Sequence, residues 1–193
     1  MDEQKKAMER AKLVAKVIKE GGKKGVEIEG VADMGGLKFF VTNVDTPEGD
    51  MDLLTECMNA MNAKVDEGAE ERKGGSGAIG KLIFSCDAEK LLACAYVPTP
   101  LAADINVLEW LNDVLSKYSG KILCAEPEVE GGFMAKGYVD VNAEAGVFPL
   151  KIRDPALKIA IQYLIGKGQF PDDDDDEEEE EAMGDDFFDT LDC

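Results

Sequence analysis

Apolar residues recur along this 193-residue chain in two periods, and the changes of period mark its elements. From Glu3 to Glu20, Ala7, Ala11, Val14 and Ile18 fall on one helical stripe, widened by Leu13 and Val17. Gly21-Gly22 then predicts the helix end. Lys38–Val44 is β-branched and aromatic, which predicts a strand. Thr46-Pro47 reads as a turn, and Asp50 as the cap of a helix running to about Lys64. Leu53, Leu54, Cys57, Met58 and Met61 form its core stripe, and a polar, glycine-rich loop follows from Asp66 to Gly77.

Two strand-like runs, Lys81–Cys86 and Leu91–Val97, flank the polar link Asp87–Lys90, which predicts a β-hairpin. Pro98 and Pro100 stop the second run, because proline cannot donate to a ladder. Asp104 is the expected cap of the next helix, where Val107, Leu108, Leu111, Val114, Leu115 and Tyr118 recur at helical spacing. Ser119-Gly120-Lys121 ends it. Tyr138–Val141 and Val147–Ile152 read as a second short hairpin, with Pro149 demoting the second arm. Asp154 and Pro155 then predict the start of a last helix. Leu157, Ala160, Ile161 and Leu164 point inward, and Gly166 and Gly168 end it. The expected fold class is α/β: a small mixed sheet covered by two or three helices, with an N-terminal helix and a disordered acidic tail.

The order from Gly80 to Gly137 resembles the C-terminal, tRNA-elbow-binding domain of alanyl-tRNA synthetases, together with the helix that precedes it. The residues that carry the resemblance are Ile83-Phe84, Tyr96-Val97-Pro98, and Glu109-Trp110 with Leu111 and Val114. Gly120-Lys121 and Gly131-Gly132…Ala135-Lys136-Gly137 complete it. It covers Met1 to about Lys167 and is best between Ile79 and Gly137. In that family a hairpin leads through a proline loop into a helix carrying Glu-Trp, and a glycine/lysine-rich loop contacts the outer corner of tRNA. The resemblance implies a basic linking helix at 1–25 and an α/β domain at 26–168, and the acidic run beyond them predicts a disordered tail at 169–193. It further implies a non-catalytic, tRNA-binding and domain-bridging module in the cytoplasm, with alanine-specific tRNA and other domains of the synthetase as partners. The candidate RNA contacts are Lys121, Gly131, Gly132, Lys136 and Gly137. Lysines supply charge and glycines allow close backbone approach to phosphate.

Charge changes this picture in one respect. Of the net −20, fourteen acids and no bases lie between Pro171 and Cys193, which leaves the body at −6. Met1–Gly25 is the exception, with eight basic and four acidic residues. Ile122–Glu130 interrupts the glycine/lysine run and adds Glu126, Glu128 and Glu130, which repel phosphate. A second reading therefore stands beside the first: a protein-interaction module that kept the fold, lost RNA affinity and docks a basic protein surface through Phe187, Phe188 and Leu191.

Composition also narrows the chemistry. The chain contains no histidine, so Ser–His and Cys–His nucleophilic pairs are excluded, as is the His/Cys metal site with which the resembled family edits mischarged tRNA in another domain. Gly74–Gly77 lacks the spacing of a phosphate-binding loop. Cys57, Cys86, Cys94, Cys124 and Cys193 are single and odd in number, which suits reduced thiols, although Cys86 and Cys94 lie on facing strands. No cofactor, catalytic residue, metal site or membrane span is expected in this chain alone. A parent synthetase would be the alanine-tRNA ligase.

Overall fold

The computed structural model describes residues 2–123 and 128–171. Its centre is a six-stranded mixed sheet built from β1 (Phe39–Asn43), β2 (Gly80–Cys86), β3 (Lys90–Pro98), β4 (Lys121–Ile122), β5 (Glu128–Val129) and β6 (Gly132–Asp140). The strand order is β1-β2-β3-β6-β4, with β5 also paired to β6. β1 runs parallel to β2, and every other pairing is antiparallel. α1 (Asp2–Gly35) and α2 (Met51–Asn62) pack on one face, and α3 (Val107–Ser116) and α4 (Pro149–Gly166) on the other. The α/β class with a mixed sheet therefore holds, with two helices on each face.

Each face has its own core because strand side chains alternate. Leu82, Phe84, Ala93, Ala95, Ala135 and Val139 meet Trp110 and Leu111 of α3 and Ala156, Ala160 and Leu164 of α4. Ile83, Leu92, Cys94, Tyr96 and Met134 meet Leu54, Cys57, Met58 and Met61 of α2 and Val17 and Ile28 of α1. The hairpin registers Lys81 opposite Tyr96 and Cys86 opposite Leu91. Cys94 thus lies on the α2 face and Cys86 on the α3–α4 face, so the two thiols point apart and all three described cysteines are free.

Four sequence expectations change. α1 does not stop at Gly21-Gly22 but continues to Gly35. A Cβ at Gly21 would overlap the Cys57 carbonyl, and one at Gly25 would press on Met61 and Gly74 backbone. These glycines bring α2 and the 73–75 loop against α1, and that packing outweighs their low helix propensity. The cap of α3 is Asn106, not Asp104: its Oδ1 accepts from Leu108 N at 3.0 Å and Glu109 N at 3.1 Å. The second hairpin reduces to a single bridge between Asn142 and Val147. Pro149 is not in a strand arm but opens α4, while Asp154-Pro155 lies inside that helix. Proline suits a first helical turn, and the start at Pro149 brings Ile152 and Ala156 into the core.

The expectations for the hairpin and for α2 hold. Asp50 caps α2 by accepting from Leu53 N at 3.0 Å, and all five residues of the expected α2 stripe are buried. Among the described residues, no helix is long and apolar enough to cross a membrane.

Candidate nucleic-acid interface

α1 and α2 cover the sheet face over β1, β2 and β3, and leave the part over β6 and β4 open. The strand alternation decides what is displayed there. Lys90, Leu92, Cys94 and Tyr96 of β3 point to the α2 face, as do Met134, Lys136 and Tyr138 of β6. Directly opposed residues share a face, so Lys121, registered against Tyr138, joins them. Lys90 and Lys121 flank the Tyr138 ring, with Nζ atoms 5.3 and 5.7 Å from its centroid. Lys136 sits two residues earlier on the same strand. The result is a strip of three lysines around one half-buried tyrosine.

Asp140 is the single acid within the strip, opposite Lys90 and 3.8 Å from Lys121 Nζ. Both groups of that pair are about half or more exposed, so the pair is weak and readily exchanged for a phosphate. α1 lies on the same side of the sheet and exposes Lys5, Lys6, Lys12, Lys16 and Lys19. Its Arg10 pairs with Asp50 at the start of α2. Hydrogen bonding from Arg10 holds the Asp50 carboxyl below its usual range.

The sequence candidates are only partly brought together. Lys121 and Lys136 share the strip. Gly131, at φ +84°, forms the β5–β6 turn at the upper end of that face. Gly132 and Gly137 are buried within β6 rather than in a loop. A Cβ at Gly132 would overlap the Val97 carbonyl, and one at Gly137 would overlap Leu115 of α3. Their bareness lets the strand pack, and their position gives them no surface. Lys90 was missed by sequence reasoning. The period-2 register of the hairpin could have found it, since Lys90 alternates with Leu92, Cys94 and Tyr96. Phe187, Phe188 and Leu191, together with Glu126, lie outside the described residues.

Between α2 and β6 the strip opens into a groove of about 1060 Å³. Asn59 and Asn62 line one wall, Met134 and Lys136 the other, and Gly131 and Gly77 close its upper end. Two buried polar groups fix that end. Tyr96 Oη donates toward the carbonyls of Gly77 and Gly131, each at 3.2 Å. Lys81, fully buried, donates to the carbonyls of Ser76 at 2.5 Å and Ile79 at 2.8 Å, and its Nζ lies 5.2 Å from the Tyr96 ring centre. Burial with no acid beside it pushes the Lys81 ammonium down to about 7.

Among the described residues, no cluster of three or more Cys, Asp or Glu is arranged to hold a metal ion. What the surface can do chemically is present charge and hydrogen bonds to a polyanion. No protein-family model matches the chain, and no curated protein matches it, so the resemblance to the synthetase domain rests on the residues quoted for it.

Proposed function

We propose that this chain is a non-catalytic RNA-binding and domain-bridging module of the alanyl-tRNA synthetase type, working in the cytoplasm on tRNA. The observation that carries the reading is the strip in which Lys90, Lys121 and Lys136 surround Tyr138 on the open half of the sheet. Lysines spaced along a strand match successive phosphates, and they neutralise charge without reading sequence. Structured RNA is gripped largely through shape and backbone, which suits such a surface. The exposed lysines of α1 on the same side extend the positive surface beyond the sheet. The lack of histidine fits a module that holds RNA for chemistry performed elsewhere.

Salt dependence tests the reading. Three phosphate contacts predict that the affinity of the full chain for deacylated tRNA falls with a log–log slope of about −2 to −3. The acidic segment 172–193 competes for the same lysines in this account, so its deletion is expected to tighten binding at low salt and to matter less at high salt. Binding that ignores salt would contradict the proposed contacts. Unchanged affinity on deletion at low salt would remove the tail from the account.

A further inference from the structure

We infer that the groove between α2 and β6 takes one unpaired nucleotide, its base against Asn59 and Asn62 and its phosphate at Lys136 and Lys64. The inference rests on the RNA reading for the source of that nucleotide, but the groove has its own chemistry. Its volume of about 1060 Å³ exceeds what a single nucleotide fills, and it opens onto the strip at Lys136.

The two walls divide the labour. Asn59 and Asn62 lie one helical turn apart on the same side of α2, and both face the groove. Asn62 Oδ1 is buried and has no hydrogen-bond partner among the described residues. A buried unpaired acceptor is costly, so a donor supplied by a ligand is favoured there. An asparagine amide offers two donors and an acceptor, the complement of a base edge that carries a ring nitrogen and an amino group. Across the gap, Met134 and Val129 give the apolar contact a base ring needs, and Val65 adds to it just after α2.

Charge favours a phosphate over a neutral ligand. Among the described residues, Lys136 and Lys64 are in no ion pair. Of the two acids at the groove, Glu29 is held by Arg72 at 2.6 Å. Glu130 sits exposed on the β5–β6 turn, where solvent screens its charge.

The test is a titration of the full, isotopically labelled chain with AMP, adenosine and inorganic phosphate, followed by backbone and side-chain amide shifts. AMP is expected to bind in the millimolar range and to move the Asn59 and Asn62 side-chain amides together with Gly131 and Lys136. Adenosine should move the amides more weakly, and phosphate should move Lys136 and Lys64 without the Asn59 and Asn62 side-chain amides. Asn59→Ala with Asn62→Ala should weaken AMP at least tenfold and leave the phosphate response unchanged. Both positions are at least partly exposed on α2, and an unchanged denaturation midpoint confirms that the variant is folded. Equal response to phosphate and AMP overturns the inference, as does silence of the groove amides at saturating AMP. Groove shifts produced by deleting 172–193 alone would also overturn it, because the native occupant would then be the tail. Failure of the strip to bind tRNA leaves this titration readable, so the two readings fail separately.

Discussion

Trp110→Ala is expected to lower the stability of the chain by about 3–5 kcal/mol, at the upper end of what truncating one core side chain costs. The indole is fully buried where α3, α4 and β1 meet. Its edge packs against Phe39 with ring centres 5.9 Å apart at 87°, and Nε1–H donates to the Ala160 carbonyl at 3.0 Å. Truncation therefore removes ring area, an aromatic pair and the only side-chain bond from α3 into the α4 backbone among the described residues. Trp110→Phe keeps most of the area and should cost about 1–2 kcal/mol. Chemical denaturation of both variants checks the order. A loss below about 1 kcal/mol for alanine would mean that the ring is not the joint between these elements.

The pH dependence of stability provides the second large effect, through Lys81. Its folded-state value, pushed to about 7 from an ordinary 10.5, means that the native chain gives up this proton earlier than the unfolded chain. Below pH 7 both states hold the proton and the group adds no pH dependence. Between about pH 7 and 10.5 the unfolded state binds more protons, so stability rises with pH, by up to roughly 1.4 kcal/mol per unit. The buried Cys57 and Cys94 thiols, both raised to about 12, act oppositely above pH 9. The window to measure is therefore pH 7 to 8.5. Lys81→Met should abolish the rise there, since methionine fills the same channel without a titrating group. An identical slope in the wild-type chain and the variant would show that the ammonium is not the source.

The contrast between Trp110 and Lys81 shows which parts of the fold were legible. Trp110 neighbours Leu111, Val114 and Leu115, whose helical spacing predicts a buried face, and the packing of α3 on α4 and β1 places the ring within it. Lys81 opens a run of strand formers, and nothing in its neighbours says that the ammonium is enclosed. Only the approach of the 76–79 turn supplies its acceptors. The hairpin and α2 were readable because local propensity, period and turn residues agree there. The end of α1 was not, because Gly21, Gly22 and Gly25 serve a contact with α2 and the 73–75 loop. That contact is a tertiary property that no local window contains. For the site, Lys121 and Lys136 were visible as residues, but their common face depends on the β4–β6 register. Lys90, some thirty residues earlier in the chain than Lys121, enters only through the β3–β6 pairing.

The central claim is that the open strip of the sheet, rather than net charge in general, grips RNA. The most direct test compares two triple charge reversals of the full chain that alter net charge equally. Lys90→Glu, Lys121→Glu and Lys136→Glu act on the strip. Lys151→Glu, Lys158→Glu and Lys167→Glu act on exposed positions of α4 and its C-cap on the other side of the sheet. The measurement is affinity for deacylated tRNA at low salt. The account predicts a loss on the order of 100-fold for the strip variant and under about threefold for the α4 variant. Equal losses in the two variants, or none in the first, would contradict it.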